Sequence, residues 1–329
     1  MYDHRGIFFV VLGVFLYASS NVLYRFVQNE VHSMEIVFII YLIQVLMTVP
    51  PITFYGSSPV AKSKKIFILM CVRGLTGVSG IISFFRALQY MPTGDATVIV
   101  CSAPIFVGIF ARIFLKEAFG FLDIVLTFIV VAGVVLIAKP PFLFGQEVGG
   151  GSQSNVIGSA YAFGSCVSCA LAYVINRKLG LLRVDSFVNV LHFIVIGTIV
   201  SAILNTVLGG WSIPPCGIVR FELVVMGTTT FVAQCLITYS YKIEKGIIVS
   251  LLQTNEVIFA YLLEFLFFSV TPDLIGLAGV VAVMSASVTS SVKKSEWVSS
   301  CRRKDKWRQE EVSTATALSK NGEQKETSG

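Results

Sequence analysis

One stretch of the chain, residues 73–145, decides how the rest is organised. It reads RGLTGVSGIISFFRALQYMPTGDATVIVCSAPIFVGIFARIFLKEAFGFLDIVLTFIVVAGVVLIAKPPFLFG, from Arg73 to Gly145. Three apolar runs are joined by two tight polar turns, at residues 91–95 and 116–120. A helix that crosses a bilayer needs about 20 mostly apolar residues. The stretch therefore predicts three consecutive membrane-spanning helices.

The composition of the whole chain agrees with this reading. Of the 329 residues, 55% are hydrophobic and only 13% are charged, and the mean hydropathy is +0.79. A soluble domain is nearer one quarter charged, so most of this surface is expected to face lipid. Strands of a membrane barrel would be shorter and would alternate in polarity, which favours helices. Ten spans are predicted: 7–27, 36–55, 66–90, 94–115, 121–139, 156–176, 186–208, 218–241, 246–268 and 273–292.

The chain also divides into two similar halves. Residues 238–288 repeat the layout of the later part of the opening stretch, with a polar hinge, an apolar run, a proline-containing turn and another apolar run. A longer loop with Pro140 and Pro141 separates five predicted helices from five. An odd number of helices in each half makes the halves cross the membrane with opposite polarity, as in many secondary transporters. We therefore expect a first repeat at 1–139, a loop at 140–155, a second repeat at 156–292 and a tail at 293–329.

Basic residues predict the orientation. Short cytoplasmic loops are enriched in lysine and arginine. If every second loop is assigned to the same side, the loops of one side carry ten basic residues and those of the other side carry few. The ten are Lys62, Lys64, Lys65, Arg112, Lys116, Arg177, Lys178, Arg183, Lys242 and Lys245. This asymmetry predicts that both termini lie in the cytosol. The plasma membrane and the Golgi or endosomal membranes are all compatible with it.

The tail after the last predicted helix is polar, and we expect it to be disordered. Its first part is basic, with Lys293 and Lys294 directly after the helix. The simpler interpretation is an anchor that fixes the topology. The alternative interpretation is contact with anionic lipids.

Polar side chains inside the predicted spans are the candidate binding residues. Such a side chain costs roughly 2.5–3.5 kcal/mol in hydrocarbon, so it usually faces protein or a water-filled cavity. Glu256 lies close to the middle of the ninth span, and Arg73 and Arg86 are candidates for holding an anionic group. The full set of candidates for solute binding is Asn21, Gln44, Arg73, Arg86, Gln234, Gln253, Asn255 and Glu256.

Each candidate also has a structural interpretation. Stripes of small residues in membrane helices more often mark packing faces than binding sites, and Gly74, Gly77 and Gly80 form such a stripe. Glutamines often form hydrogen bonds between helices. Glu256 is open to three interpretations: a proton-coupling carboxylate, a contact for a cation, or the partner of an arginine such as Arg86 in a structural ion pair. Pro104 is expected to kink the fourth span, either as a static bend or as a hinge. We take Pro104 and Gly80 as candidate gating positions.

No cofactor, metal site or catalytic motif is expected. Cys166 and Cys169 form a CxxC pair, but it lies within a predicted helix without a second pair of ligands. Small packing residues are the favoured interpretation of these cysteines. The sequence contains neither a His-Glu-x-x-His metalloprotease signature nor a pair of intramembrane aspartates, so an enzyme is not expected.

Several motifs resemble the EamA-type drug/metabolite transporter superfamily, and in particular the G branch of the animal solute carrier 35 family. They are the Arg73–Gly74 pair, Ala87–Leu88, the DATVI run from Asp95, Pro104 with Phe106, the LKE run from Leu115, Gly133–Val134 and the PPFLFG run from Pro140; in the second half they are the FAY run from Phe259 and Phe267–Phe268. The resemblance extends over nearly all of residues 7–292. It implies ten helices, an inverted five-plus-five fold and solute transport by alternating access. The second half has two phenylalanines where the first half has Lys116–Glu117, so no role for Glu117 is carried across the repeat.

The sequence therefore favours a secondary transporter of a small polar metabolite, such as an organic anion or a nucleotide-sugar-like solute. A non-transporting membrane scaffold or regulator that binds another membrane protein is the alternative. The expected partners are the solute and membrane lipids. A homodimer is left open, and nucleic acid is not expected.

Overall fold

Ten apolar helices make up the part of the chain that the computed structural model describes. The described residues are 5–28, 30–54, 63–91, 93–117, 119–139, 143, 152–208, 210–212, 214–268 and 274–292. The helices are α1 (Arg5–Val27), α2 (Ser33–Phe54), α3 (Lys64–Ala87), α4 (93–115), α5 (Phe121–Ala138), α6 (Ser152–Leu181), α7 (Ser186–Leu208), α8 (Ile218–Ile243), α9 (246–268) and α10 (Leu274–Val292). Each is long and apolar enough to span a membrane. The predicted all-α fold with ten spanning helices is confirmed.

Two predictions fall on residues outside the described part. Most of the predicted loop at 140–155 and the whole of the predicted tail at 293–329 are among them. The predicted disorder and basic character of the tail therefore stay predictions from the sequence.

Contacts between helices repeat with two-fold regularity. The packing of α1 on α8 corresponds to the packing of α6 on α3, and the packing of α2 on α8 corresponds to that of α7 on α3. The pairs α2–α7 and α4–α9 each join equivalent helices of the two halves. This pattern is what two inverted five-helix repeats produce when they pack face to face.

Small residues allow the closest of these contacts. A Cβ atom at Gly74, Gly77 or Gly80 would lie within 2.4–2.8 Å of a side chain on α6 or α7. The carbonyl of Gly80 also accepts a hydrogen bond of 2.8 Å from the Ser165 hydroxyl on α6. The predicted packing face on α3 is confirmed, because backbones that approach this closely leave no room for larger side chains.

Local sequence signals fix the C-terminal end of α4 and the N-terminal end of α5. Lys116 follows the last turn of α4 with φ of 55°, in the left-handed region, and so ends that helix. The Asp123 carboxylate accepts a 2.9 Å hydrogen bond from the Gly120 amide, which satisfies an amide at the start of α5. The short turn between these two signals positions Glu117.

Candidate functional site

The fourth helix of each half is interrupted near its middle. In α4 the helical segments Thr93–Val100 and Ala103–Phe110 are separated at Cys101 and Ser102, and a π-helical turn, Ala111–Leu115, follows. In α9 the segments Gly246–Gln253 and Asn255–Phe268 are separated at Thr254. The two interrupted helices contact each other. In transporters with inverted repeats, interrupted helices of this kind commonly surround the solute site.

The two interruptions have different local causes. In α4, the buried Pro104 lies in the first turn of the second segment, where its missing amide hydrogen is tolerated. The sequence predicted a kink here. In α4 the Ser102 hydroxyl also donates to the carbonyl of Ile99 at 2.6 Å. In α9 there is no proline, and side chains alone bond the freed carbonyls. Thr254 donates to the carbonyl of Leu251 at 2.6 Å, and Asn255 donates to that of Leu252 at 2.8 Å.

Arg73 on α3 is the most unusual polar residue of the interior. It is only 5% exposed, and its guanidinium carbon lies 4.6 Å from the centre of the Phe193 ring. Among the described residues, its Nε and Nη1 atoms have no hydrogen-bond partner. An ionised group buried in this way is costly unless something pairs with it. The side chain does not extend to the membrane surface, because it is enclosed by neighbouring helices.

Four tyrosines lie within electrostatic range of the Arg73 guanidinium. They are Tyr17, Tyr41, Tyr173 and Tyr241, which come from α1, α2, α6 and α8. Tyr173 and Tyr241 stack on each other with ring centres 5.7 Å apart. Both halves of the protein therefore contribute to one aromatic and polar cluster around the arginine.

Two of the predicted glutamines belong to this cluster. Gln234 on α8 accepts a hydrogen bond from the Tyr17 hydroxyl. Gln253, the last residue before the interruption in α9, accepts a 2.6 Å hydrogen bond from Tyr241. Since each amide oxygen is held by a tyrosine, the amide nitrogens are the atoms that each glutamine could offer to a solute.

Glu256 lies beside the cluster, in the first turn after the interruption in α9. Its Oε1 atom accepts a 2.7 Å hydrogen bond from Asn21 on α1. The carboxylate is also within electrostatic range of Tyr17, Tyr173 and Cys101. Asn21 and Glu256, which were predicted as separate candidates, are therefore brought together by contact between the halves.

The other candidates lie elsewhere. Gln44 donates a 2.9 Å hydrogen bond to Thr230, which links α2 to α8. Asn255 turns toward α10, where it accepts a 3.0 Å hydrogen bond from Ser287. Arg86 is exposed near the end of α3 and donates to Gln89 at 2.9 Å. These three side chains are placed in contacts outside the tyrosine cluster.

The two candidate gating positions differ in kind. Pro104 lies directly after a real interruption of its helix, as a hinge requires. At Gly80, α3 continues without a break, and the residue is held against Cys169 and Ser165 of α6. The structure therefore places Gly80 in a packing contact, and the same contact explains the position of Cys169 in the CxxC pair.

A buried ion pair connects the halves at one end of the bundle. Arg177 of α6 donates from Nε to Glu117 Oε1 at 2.7 Å, and both side chains are 11% exposed. The second carboxylate oxygen of Glu117 accepts a 3.1 Å hydrogen bond from the amide of Gly246, the first residue of α9. Arg177 also donates to the carbonyls of Tyr241 and Lys242, at 3.0 and 3.2 Å. We call this set of residues the Glu117 network.

Sequence reasoning missed two parts of this arrangement. Tyr173 was not singled out, because a single tyrosine in an apolar helix has no distinctive pattern. Arg177 was counted as a loop charge, but α6 continues to Leu181, so this arginine is inside the bundle. The LKE run from Leu115 was a signal that could have prompted a search for a basic partner of Glu117.

Two inverted five-helix repeats, interrupted helices in the middle of both and a polar cluster between them define a polytopic membrane protein of the transporter class. The chain belongs to the EamA-like transporter family, whose model matches residues 4–139 and 156–292. The family is one of transporters, not of enzymes. The two matched regions contain five described helices each.

Individual proteins support the assignment. The chain is 34% identical over 293 residues to human "Solute carrier family 35 member G1", with 88% of this chain and 79% of the human protein covered. It is 26% identical to the "Pseudopaline exporter CntI" of Pseudomonas aeruginosa strain UCBPP-PA14, with 88% and 96% covered. One crystal structure matches the fold with a TM-score of 0.74 at 14% identity, covering 88% of this chain and 98% of the other. The chain is thus similar to the G branch of the solute carrier 35 family.

Proposed function

We propose that the protein is a secondary transporter that binds a small polar solute at Arg73 and moves it by alternating access. An organic anion or a nucleotide-sugar-like solute is the class that best matches the charge of this site. The buried guanidinium of Arg73, with two nitrogen atoms unpaired within the described residues, is the observation that carries the proposal.

A solute would complete the bonding of Arg73. A guanidinium presents its N–H groups in a fixed fork that matches a carboxylate or a phosphate with two parallel hydrogen bonds. The surrounding tyrosine rings would pack against the body of the solute. Amide nitrogens of Gln234 and Gln253 are placed to bind its other polar groups.

The interrupted helices and the Glu117 network support alternating access. Interruptions at Ser102 and Thr254 divide α4 and α9 into segments that can tilt separately. The Glu117 network closes one end of the bundle, whereas the Arg25–Glu264 pair joins α1 to α9 by a more exposed contact of 3.2 Å. A transporter needs two such closures, which open in turn.

Orientation and location are also proposals. The basic loops support a cytosolic position for both termini and for the Glu117 network. The substrates in the relatives' names belong to those proteins: a pseudopaline exporter, and the "S-adenosylmethionine uptake transporter" of Rickettsia bellii, which is 23% identical over 287 residues. Both names support a small metabolite as the solute of this chain as well. The proposed location is the plasma membrane or a Golgi or endosomal membrane.

Transport in liposomes tests the role of Arg73. The purified protein is reconstituted, and uptake of organic anions and nucleotide sugars is compared for the wild type and Arg73→Gln. We expect uptake of the transported solute to fall by at least about 100-fold, because a charge-assisted bidentate contact is worth roughly 3 kcal/mol. Arg86→Gln on the same helix is the control and should keep uptake within about twofold.

Thermal stability separates a binding role from a structural one. Because Arg73 is buried with unpaired nitrogen atoms, its removal should leave the unfolding temperature unchanged or raise it. A structural arginine would instead lower it. Full uptake by Arg73→Gln, or equal losses in the two variants, would contradict the proposal.

A further inference from the structure

Glu256 lies in the middle of the bundle without a cation to balance it. Its side chain is half-buried, and it accepts a 2.7 Å hydrogen bond from Asn21, which is a neutral amide. In the part of the chain that the structure describes, no lysine, arginine or histidine forms an ion pair with Glu256. An ionised carboxylate without a cationic partner is costly inside a membrane protein, whereas the protonated form is much less so.

The titratable groups that face Glu256 from other helices are weak acids. Those within electrostatic range of its carboxylate, from α1, α4 and α6, are Tyr17, Cys101 and Tyr173. Tyr241 on α8 is bonded to Gln253 instead. In its span, α5 carries only Asp123, which is bonded to Gly120 at the start of the helix, and α10 carries no titratable side chain. Phenols and thiols are protonated at neutral pH, so Glu256 is the group among these neighbours that can change its charge.

The charges of Glu256 and Arg73 act on the same place. Both residues lie within electrostatic range of the Tyr17 hydroxyl, and both lie within electrostatic range of Tyr173. An anion bound to Arg73 would therefore be close to the carboxyl of Glu256. Since like charges repel strongly where water is scarce, an anion at Arg73 and an ionised Glu256 disfavour each other. A proton on Glu256 removes that repulsion.

The net charge of the site determines which states can cross the membrane. When the site is empty, the positive charge of Arg73 is balanced by an ionised Glu256. When a solute with one anionic group occupies Arg73, the sum is zero only if Glu256 is protonated. The other two combinations leave one uncompensated charge in the middle of the membrane, which is costly. The two neutral states are therefore the ones that can change from facing one side to facing the other.

We propose that Glu256 binds one proton together with the anionic solute at Arg73, so that the protein cotransports the two. This inference rests on the proposed function and adds the coupling ion to it. The proton enters from the end of the bundle at which Arg25 and Glu264 form their exposed pair, because Asn21, which lies between that pair and Glu256, is exposed as well. It leaves with the solute when the Glu117 network at the opposite end opens.

Infrared difference spectroscopy of the purified protein measures proton binding directly. Spectra are recorded in acidic and in alkaline buffer, and the C=O stretching band of a protonated carboxyl group is compared between variants. We expect a band component in the wild type that is absent in Glu256→Gln. Glu222→Gln is the matched control and should keep it, because Glu222 is also half-buried but lies about three turns of α8 away from Gln234. This assay needs no solute.

Proton flux in liposomes measures the coupling. The vesicles contain a pH-sensitive dye, the membrane potential is clamped with potassium and valinomycin, and the probes are radiolabelled glycerate, succinate and UDP-glucose. Every probe that the wild type takes up should acidify the interior. Glu256→Gln should lose net uptake and acidification by about 100-fold, because its empty form must return with one uncompensated charge. It should keep the exchange of labelled for unlabelled probe, because its loaded form is neutral.

Glu256→Asp and Glu222→Gln complete the set of variants. The aspartate keeps a carboxyl group that can bind a proton, so it should restore part of the acidification. Glu222→Gln should acidify the vesicles as the wild type does. A structural role of Glu256 would instead lower exchange and net uptake together, and that result would contradict the proposal.

Two further results would overturn it. If Glu256→Gln keeps the full infrared band, Glu256 does not bind the proton. If the wild type takes up a probe without acidifying the interior, the solute moves without a proton, and the proposed function stands without this coupling. Uptake of none of the three probes by the wild type would count against both the proposed function and the coupling.

Discussion

Glu117 provides the sharpest test of how the two halves are held together. The substitution Glu117→Gln keeps the shape of the side chain and removes its charge. In the structure, that carboxylate accepts a hydrogen bond of 2.7 Å from the Arg177 guanidinium and one of 3.1 Å from the Gly246 amide. The glutamine can keep only one of the two acceptor positions, and Arg177 is left as a buried cation.

The expected loss follows from the burial of the pair. Both side chains are 11% exposed, so water cannot replace the missing carboxylate fully. Removal of one member of a buried ion pair costs about 3–5 kcal/mol. Arg177 keeps its bonds to the carbonyls of Tyr241 and Lys242, which places the expected loss at the lower end, about 3 kcal/mol.

A double-mutant cycle measures the coupling. The free energy of unfolding in micelles is determined for Glu117→Gln, for Arg177→Met and for the two together. The coupling energy should be about 2–3 kcal/mol, because each single change already breaks the same contact. Glu264→Gln is the control: the Arg25–Glu264 pair is 48% and 30% exposed, and its loss should cost no more than about 1 kcal/mol.

Additive losses in the double variant would refute this reasoning, since they would mean that Glu117 and Arg177 act independently. So would a loss in Glu117→Gln as small as that in Glu264→Gln. Either result would remove the Glu117 network as a closure between the halves. The proposed binding role of Arg73 would be unaffected.

Two further predictions concern packing and hydrogen bonds. Gly279→Ala should lower the free energy of unfolding by about 1–3 kcal/mol, because its Cβ would lie 2.5 Å from the Gly133 carbonyl oxygen. Gly164→Ala is the control in the same denaturation assay. A Cβ atom there would meet open space, so that variant should be neutral or stabilised by up to about 1 kcal/mol. Gln44→Leu should cost about 0.6–1.7 kcal/mol by breaking its bond to Thr230, yet leave the affinity for the transported solute unchanged in uptake assays; a large change in affinity with unchanged stability would show instead that Gln44 binds solute.

The sequence alone was sufficient for the architecture. Apolar runs such as those in residues 73–145 can satisfy their backbone hydrogen bonds in lipid only as helices, so the number of spans could be counted directly. The five-plus-five division followed from the loop that begins with Pro140 and Pro141. The kink of α4 was also predictable, because Pro104 in the interior of the span has no amide hydrogen to donate to the preceding turn.

Partners across the bundle could not be predicted in the same way. Arg73 and Glu256 were found because a charge in an apolar run is costly anywhere in the membrane. Whether such a side chain meets a partner depends on residues distant in the sequence, such as Asn21, which lies 235 positions from Glu256. Arg86 and Arg73 look alike in the sequence, yet Arg86 is exposed and Arg73 is buried within electrostatic range of four tyrosines.

The sequence by itself determined that the chain forms ten membrane helices in two inverted halves, since hydrophobic length and periodicity act locally. Only the tertiary structure decided which polar groups meet: the cluster around Arg73, the Glu117 network and the interruption of α9 at Thr254. The physical reason is that a hydrogen bond or an ion pair is set by distances of about 3 Å between separate helices. Those distances depend on how the helices pack, and no local pattern in the sequence specifies them.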